Sequence, residues 1–360
     1  MTTDASDQNL QCSPGELSDE VWDAIVVGAG PAGATAAQRL ASNGHRVLLV
    51  DKEQFPRDKV CADGIIADAM RCMSRSRVLE RVERQAFAAS EAVVFSPSRI
   101  SLPLPGRYLT LRRYDLDAIL VEAACEAGAI FCRAEVARIA EKKDHFTCLL
   151  RNGKGGHGAL RARVVLVGTG ARVPLLRELG LVKRIRPSAV AVRCYVRSSA
   201  RLDRLLLSYD RSVLPGYAWI FPLGNGLYNF GGGVFLRFAA GMRVSLVAAL
   251  ERFMSTFPIA REIMAHGERV TPIRGAPLRC GLEGVTPSLN GRLFVIGESV
   301  GATLPYSGEG IGKAMETAEI AAEAADSVLS CNDANRACSY EERLTCELKP
   351  RYRGYETAEN

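Results

Sequence analysis

The segment Val26-Val27-Gly28-Ala29-Gly30-Pro31-Ala32-Gly33, near the start of the 360-residue chain, decides the fold. A short apolar run, residues 22–27, leads into these glycines, and an alanine-rich stretch, residues 34–42, follows them. About twenty residues after the first glycine, a second apolar run, residues 47–50, ends in Asp51. The pattern predicts strand, tight turn, helix, strand and acid, which is the order that a dinucleotide-binding βαβ unit requires.

Each glycine of this turn has its own physical task. Gly28 allows the sharp turn, Gly30 lets the backbone approach a pyrophosphate, and Gly33 lets the helix pack closely on the strand. The helix N-terminus offers unpaired N–H groups and a positive dipole end to phosphates. Asp51 can accept hydrogen bonds from the hydroxyls of an adenosine ribose. A lone G-x-G-x-x-G also occurs in ordinary turns, but the flanking strand, helix and acid favour a nucleotide site.

Composition narrows the class of protein. The net charge is +6, and the basic residues are scattered rather than gathered in a block, so nucleic acid is not an expected partner. Eleven cysteines are spread singly, with no C-x-x-C pair and no ligand spacing to the four histidines. We therefore expect reduced thiols and no metal site.

Membrane and targeting segments are not expected. Residues 1–20 contain five acids and no Lys or Arg, which predicts a disordered tail rather than a secretory or transit peptide. No apolar run reaches the length that spans a bilayer. The sequence thus predicts a soluble, cytoplasmic protein, and it leaves peripheral membrane contact and the oligomeric state open.

Three later segments carry the remaining chemistry. Residues 55–64 have the spacing F-P-R-x-K-x-C-x-x-G, residues 216–222 read G-Y-A-W-I-F-P, and residues 304–312 read L-P-Y-S-G-E-G-I-G. The aromatic residues of the second segment alternate, so they share one strand face, which on pattern alone favours core packing. Residues 231–233 are consecutive glycines, which would leave room for a bulky ligand or ring. The third segment predicts free N–H groups at a second helix N-terminus, residues 311–330.

Together these segments resemble the geranylgeranyl reductase family of FAD-dependent oxidoreductases, in the wider group of para-hydroxybenzoate hydroxylase and the flavin halogenases. The resemblance covers about residues 22–330 and is most specific at its two ends. It implies FAD as cofactor. The cofactor-binding residues it implies are Gly28, Gly30, Pro31, Ala32, Gly33, Asp51, Lys52, Arg57, Lys59, Cys61, Ala62, Gly64, Arg113, Val136, Gly297, Glu298, Pro305, Gly308, Glu309, Gly310 and Ile311.

Some of these contacts have a stated role in the family. Arg113 would reach the cofactor, although a surface arginine is the plain alternative, and Asp117 would support the start of its helix. Backbone groups near Val136 would lie against the adenine. Glu298 would accept a hydrogen bond from the ribityl chain, and the N–H groups beside Gly310 would face the flavin ring.

This chain departs from the family pattern at several positions. Ala62 and Asp63 stand where two glycines are common, and Glu298 stands where aspartate is usual. In the segment 164–172, Thr169 replaces an aspartate and Pro174 occupies a serine position, so we do not assign that segment to the cofactor.

We predict an α/β fold, with a Rossmann-like FAD-binding domain and a second, mostly antiparallel β-sheet substrate domain. The FAD-binding domain is expected to be discontinuous, in residues 21–90, 108–175 and 287–330. The substrate domain is expected in residues 91–107 and 176–286, and residues 331–360 are expected to form a C-terminal tail with a terminal helix.

The leading hypothesis is a reductase that delivers hydride from reduced FAD to a carbon–carbon double bond of a hydrophobic, isoprenoid-type substrate. The resemblance puts the substrate beside the flavin against Tyr217 and Trp219. Cys61 would tune the flavin or move a proton, and simple packing is an equal alternative for it. No second dinucleotide-binding domain is expected from the sequence, so electrons would come from a transiently bound NAD(P)H or from ferredoxin.

Two other functions stay open. A flavin-dependent monooxygenase or halogenase acting on an aromatic or natural-product substrate would use the same fold. Halogenation is disfavoured because this chain has C-A-D-G and G-Y-A-W-I-F-P where halogenases of the group usually have G-E-S and G-W-x-W-x-I-P. A non-catalytic flavin-binding protein is the third hypothesis, motivated by Thr169 and Glu298.

Overall fold

A computed structural model describes residues 21–151, 157–242, 244–305, 307–331 and 338–356. The tail expected at residues 1–20 lies outside this range. The strands are β1 Val21–Val27, β2 Val47–Asp51, β3 Gly64–Ile65, β4 Phe87–Phe95, β5 Ser101–Thr110, β6 Ile130–Arg133, β7 Glu135–Glu141, β8 Phe146–Arg151, β9 His157–Val167, β10 Ala189–Ser198, β11 Leu205–Ser208, β12 Tyr217–Pro222, β13 Leu227–Phe235, β14 Gly267–Arg269, β15 Arg274–Leu278, β16 Ser288–Leu289 and β17 Leu293–Val295.

The helices alternate with these strands. They are α1 Pro31–Ser42, α2 Ala67–Arg75, α3 Leu79–Glu83, α4 Arg113–Glu126, α5 Pro174–Glu178, α6 Leu246–Thr256, α7 Pro258–Ala265, α8 Ile311–Cys331, α9 Cys338–Arg343 and α10 Lys349–Glu356. A short 3₁₀ turn, Gly297–Val300, precedes α8, and a π-helical turn, Leu344–Leu348, joins α9 to α10.

The chain forms two compact units. Unit 1 comprises Met1–Arg57, Asp117–Ile185 and Arg279–Asn360. Its sheet has eight strands within the described residues, and the strands β17-β9-β1-β2-β6 run parallel. Residues 24–26 and 47–50, in β1 and β2, are fully buried, as is typical of parallel strands covered on both faces. The predicted βαβ unit is therefore the centre of unit 1.

Unit 2 comprises Asp58–Leu116 and Arg186–Leu278. Across its described residues the sheet has nine strands in the order β14-β10-β13-β12-β11-β4-β5-β3, with β15 also paired to β10. All of these pairs are antiparallel except β4 with β11. The expected fold class, a parallel nucleotide-binding domain with a mostly antiparallel second sheet, is confirmed.

The unit boundaries differ from those expected from the sequence. Residues 58–90 and 108–116 belong to unit 2, because β3, β4 and β5 pair with one another in its sheet. Residues 176–185 and 279–286 belong to unit 1. They are held there by a bridge between Val182 and Val285. Long-range strand pairing, which no local pattern reports, sets these boundaries.

The C-terminal segment is more ordered than its polar sequence suggests. Tyr340 and Tyr352 are buried, and the hydroxyl of each donates a hydrogen bond to a backbone carbonyl of unit 1. Tyr340 reaches Val295 over 2.6 Å, and Tyr352 reaches Ala302. The described residues 338–356 are thus helical, and Tyr340 and Tyr352 pack on unit 1.

Candidate flavin and substrate sites

The first glycine turn leaves no room for side chains. Gly28 has a φ of 97°, and a Cβ on it would lie 2.4 Å from the carbonyl oxygen of Gly168. A Cβ on Gly33 would lie 1.7 Å from the carbonyl oxygen of Gly28. The turn therefore requires glycine at both positions, for the reasons that its sequence predicted.

The start of α1 is suited to an anion. Gly30 is its N-cap residue, Pro31 is the first helical residue, and no side chain caps the helix. The first turn also contains no acidic residue. Backbone N–H groups at such a helix start can bind a phosphate, and the helix dipole adds to the attraction.

Asp51 ties the end of β2 to this turn. One carboxylate oxygen accepts the backbone N–H of Ala29 over 2.7 Å, and the other accepts that of Glu53 over 2.9 Å. Each carboxylate oxygen has a second lone pair, so the group can still bind ribose hydroxyls. The Ala134 N–H donates to the carbonyl of Asp51 over 2.8 Å, which brings Val136 near this corner. A β-bulge follows Val136 directly.

The second glycine turn meets the first one. Gly297 has a φ of 65°, and a Cβ on it would lie 2.7 Å from the Cβ of Ala32, in the first turn of α1. The Gly297 N–H donates to the Thr317 hydroxyl of α8 over 2.8 Å. Two segments some 270 residues apart in the chain thus form one backbone surface at the start of α1.

The loop before α8 is closed by its own backbone. The Leu304 N–H donates to the carbonyl of Glu309 over 2.9 Å, and Gly308 has a φ of 72°. A Cβ on Gly310 would lie 2.9 Å from the Thr303 hydroxyl. The loop therefore presents backbone rather than side chains where α8 begins at Ile311, and the first turn of α8 has no acid.

Thr169 and Glu298 replace the aspartates that are usual in the family. The Thr169 hydroxyl donates to the carbonyl of Arg172 over 3.0 Å, so it stabilises the turn of residues 169–172. The Ser299 hydroxyl donates to the carbonyl of Gly170 over 3.0 Å. A carboxylate oxygen of Glu298 would lie 3.6 Å from a Cβ on Gly170. The Glu298 carboxylate therefore lies beside the turn at Gly170.

The predicted basic ligands of unit 1 already have acidic neighbours. Lys52 is exposed and lies 3.3 Å from the Glu53 carboxylate. Arg57 lies 2.8 Å from the fully buried Asp117 carboxylate and stacks over the Phe55 ring. Asp117 was expected to support the start of α4, but it is the fifth residue of that helix, and here it holds Arg57.

The remaining predicted residues belong to unit 2, where a buried acid that the sequence left unassigned organises them. Asp63 is fully buried. Its carboxylate accepts the Tyr195 hydroxyl and the Asn229 amide, each over 2.8 Å, and the backbone N–H of Arg113 over 3.1 Å. Its φ of 65° explains why glycine is common at this position in the family, and aspartate tolerates that conformation.

The charge of Asp63 is unfavourable in this environment. Burial raises the pKa of its carboxyl from 3.8 to about 6, and the bonds from Tyr195 and Asn229 oppose that rise. Burial and the nearby carboxylate also raise the pKa of the Tyr195 hydroxyl. The one sequence signal for this cluster was an acid at a position where glycine is common.

Cys61 belongs to the same cluster. Its thiol contacts the Asp63 N–H and the Arg113 side chain, and its carbonyl accepts the Asn229 amide over 2.8 Å. Burial raises the pKa of this thiol, and the positive charge of Arg113 opposes the rise. The thiol is therefore neutral at physiological pH. The neighbouring Ala62 and Gly64 are partly exposed.

A buried arginine anchors the loop that precedes Cys61. The Arg193 guanidinium donates to the Asp58 carboxylate and, over 3.3 Å, to the carbonyl of Lys59. It also lies 4.2 Å from the centre of the Tyr195 ring. Arg274 adds a second contact to Asp58 over 3.3 Å. Asp58 and Lys59 are thus linked through Arg193 to the ring that holds Asp63.

Tyr217 and Trp219 form a buried aromatic cluster. The Trp219 ring packs against Gly231, where a Cβ would come within 2.1 Å of it, and its N–H donates to Asn229 over 2.9 Å. The consecutive glycines therefore make room for the chain's own indole ring. The Tyr217 ring lies 5.9 Å from Trp219 and stacks on Phe235 at 6.3 Å.

The residues of unit 1 fit an FAD molecule. They provide two glycine turns without room for side chains, an uncapped helix start for the phosphates, and an acid at the end of β2. These features, on a parallel Rossmann-like sheet, define a dinucleotide-binding flavoprotein fold. The described residues include no helix long and apolar enough to cross a membrane.

Comparison with known proteins agrees with this assignment. Residues 21–194 match the model of an FAD binding domain. The chain is 32% identical over 328 residues to a menaquinone reductase of Mycobacterium tuberculosis, covering 86% of this chain and 78% of that protein. It is 28% identical to digeranylgeranylglycerophospholipid reductase 2 of Methanopyrus kandleri, covering 87% of this chain and 78% of that protein.

Solved structures share the fold. A geranylgeranyl bacteriochlorophyll reductase-like protein of Thermoplasma acidophilum has a TM-score of 0.79 at 21% identity, covering 90% of this chain and 83% of that one. A myxobacterial chondrochloren halogenase has a TM-score of 0.80 at 22% identity, covering 93% and 82%.

The fold and the site define an FAD-dependent oxidoreductase. Within that class, the chain belongs to the geranylgeranyl reductase family, as its motifs predicted.

Proposed function

We propose that the protein reduces carbon–carbon double bonds of a hydrophobic, isoprenoid-type substrate. The observation that carries the proposal is the aromatic cluster of unit 2. Tyr217, Trp219 and Phe235 are each at most 9% exposed, and their rings lie within 6.3 Å of a neighbouring ring. A buried aromatic cluster of this kind suits contact with a hydrocarbon chain better than contact with a polar substrate. The relative that acts on a digeranylgeranylglycerophospholipid supports the same substrate class.

FAD, when bound, supplies the hydride for such a reduction, and the protein supplies orientation and a proton. The backbone of the two glycine turns and the start of α1 would hold the cofactor, with Asp51 on its ribose. The electrons would come from a transiently bound NAD(P)H or a ferredoxin-type donor. Tyr217 and Trp219 would hold the substrate chain.

The second hydrogen must arrive as a proton, and Cys61 is our candidate donor. Its raised pKa keeps the thiol protonated, so Sγ can release a proton to the carbon next to the one that receives hydride. The thiolate would then take up a proton before the next turnover. Arg113, beside the thiol, would stabilise the thiolate left behind.

Anaerobic turnover tests the reaction type. The purified flavoprotein is reduced with dithionite under nitrogen and mixed with a geranylgeranyl lipid. Mass spectrometry then gives the mass of the product. We expect a product heavier by two hydrogens for each bond reduced, with flavin reoxidation. If product forms only in the presence of oxygen, the protein is a monooxygenase or halogenase and not a reductase. If no lipid reoxidises the reduced flavin, the protein is a non-catalytic flavin carrier.

The role of Cys61 has its own test. Cys61→Ala should lower kcat per bound FAD by about two orders of magnitude, the usual contribution of a positioned acid. Cys125→Ala, at a partly exposed cysteine of α4, is the matched control and should keep full activity. Equal kcat values for the two variants would show that Cys61 contributes packing and does not donate the proton.

A further inference from the structure

Several loops leave the unit 2 sheet at the same end. Tyr217, which begins β12, pairs with Gly233 near the end of β13. Ala189, which begins β10, pairs with Phe235 at the end of β13. β11 ends beside β4, because Ser208 pairs with Phe95. The segments 96–100, 209–216 and 236–242 therefore all emerge at the same end of the sheet.

These segments and the start of β5 expose several large apolar side chains. We call the following six residues the apolar rim: Ile100 (71% exposed), Leu102 (60%), Leu214 (47%), Leu236 (37%), Phe238 (42%) and Met242 (57%). They extend from β5 to β13, four strand spacings apart, which is about 19 Å. Scattered surface residues need no explanation, but six large apolar side chains exposed at one end of a sheet indicate a binding partner.

The charges around the apolar rim are basic. Arg211 and Arg237 are exposed, and the Arg237 guanidinium lies 4.7 Å from the centre of the Phe238 ring. Residues 211–250 contain no Asp or Glu at all. Two acids flank this range. Asp210 is buried and accepts from Arg99 over 2.6 Å, and Glu251 lies 3.6 Å from Arg269 of β14, which pairs with the opposite end of β10. Exposed apolar side chains among arginines complement an anionic lipid surface.

The apolar rim is also continuous with the aromatic cluster. The Phe238 ring packs edge-on against Phe235 at 6.5 Å, and Phe235 stacks on Tyr217. Tyr217 in turn lies against Trp219. A row of rings thus connects the exposed loop with the strand that we assign to the substrate.

We propose that the apolar rim docks unit 2 on an anionic lipid bilayer, and that a membrane-borne substrate reaches Tyr217 and Trp219 across Phe238 and Phe235. The docking stands on the exposed residues alone, whereas the route of the substrate rests on the proposed function. Phe, Leu and Met side chains would enter the acyl boundary while the arginines bind lipid phosphates.

Vesicle sedimentation of the FAD-loaded protein tests the docking. We expect binding to phosphatidylcholine vesicles containing phosphatidylglycerol, and weaker binding to pure phosphatidylcholine or at high salt. The double variant Ile100→Asp/Met242→Asp should reduce binding at least tenfold, because burying such side chains is the main attraction. Val270→Asp is the matched control. Val270 is 42% exposed and follows β14, which pairs with the opposite end of β10, so it should bind as wild type does.

Turnover separates this proposal from the proposed reaction. The double variant should keep wild-type activity on a detergent-dispersed isoprenoid and lose it on the same lipid in vesicles. Inactivity of both proteins on every lipid, with vesicle binding intact, would overturn the reaction but leave the docking. Absence of wild-type binding, equal loss in Val270→Asp, or a dimer that the double variant converts to monomers would overturn the docking. Circular dichroism and FAD content establish that each variant is folded.

Discussion

The Tyr195 hydroxyl donates a hydrogen bond to the Asp63 carboxylate over 2.8 Å, and the two residues are 132 positions apart in the chain. Both are buried, at 7% and 0% exposure. Asn229 reaches the same carboxylate and also bonds to Trp219 and Cys61. A single acid thereby connects the F-P-R-x-K-x-C-x-x-G loop with the aromatic strand.

The Asp63 carboxyl should make the stability of the protein depend on pH. Because its pKa rises from 3.8 to about 6 on folding, the native state binds this proton more tightly than the unfolded chain does. Its contribution to stability is therefore present below pH 3.8 and lost as pH rises through 6, by at most about 3 kcal/mol. Asp63→Asn, which tolerates the positive φ, should remove this slope.

Urea unfolding at intervals from pH 4.5 to pH 7.5 measures that slope. The slope is the diagnostic quantity, because an amide facing the Arg113 N–H also lowers the free energy of unfolding by an amount that does not depend on pH. Asp68→Asn, at a partly exposed acid of α2, is the control and should keep the wild-type slope. An unchanged slope in Asp63→Asn would mean that Asp63 is charged throughout this range.

Gly33→Ala should abolish FAD binding. The new methyl group would collide with the Gly28 carbonyl, which is backbone and cannot move without opening the turn. Gly44→Ala is the control: its φ of 86° costs about 1 kcal/mol, but nothing lies within 4 Å of the new methyl group. Flavin absorbance per polypeptide after gel filtration should fall near zero in the first variant only. Full flavin content in Gly33→Ala would contradict the assigned site.

Trp219→Phe should raise KM for the isoprenoid substrate by about tenfold, the equivalent of ~1.4 kcal/mol, while changing kcat less. The smaller ring contacts less of the substrate and leaves the buried Asn229 oxygen without its indole donor. Trp22→Phe, at the other tryptophan of the chain and equally buried, should leave KM unchanged. Steady-state kinetics under nitrogen give both constants. An equal rise in both variants would indicate general destabilisation.

Glu316→Gln should destabilise the protein by about 3 kcal/mol. Lys313 is 2% exposed, and its ammonium lies 2.8 Å from the Glu316 carboxylate, which also binds Arg351 over 2.8 Å. Removing that carboxylate charge takes away one charged partner of both the Lys313 ammonium and the Arg351 guanidinium. Glu323→Gln, on the exposed side of α8 beside Arg343, should cost less than 1 kcal/mol. Denaturant unfolding compares them, and similar losses would show that burial of the pair is unimportant.

Much of unit 1 could be predicted from the sequence. Gly28 and Gly33 sit within one βαβ unit, and the need for glycine there follows from local spacing. Family resemblance added the partner turn at Gly297, which the structure brings against Ala32. The boundaries of the units could not be predicted in the same way, because β3, β4 and β5 join their sheet by pairing with distant strands.

By itself the sequence determined that a nucleotide-binding turn exists, since its glycines, strands and acid follow one another along the chain and the required backbone conformation is local. Only the tertiary structure decided that Asp63 is buried under Tyr195 and Asn229, and that the residues of the apolar rim lie at the same end of a sheet. Both arrangements join residues about a hundred or more positions apart, and strand pairing, not local preference, sets which of them meet.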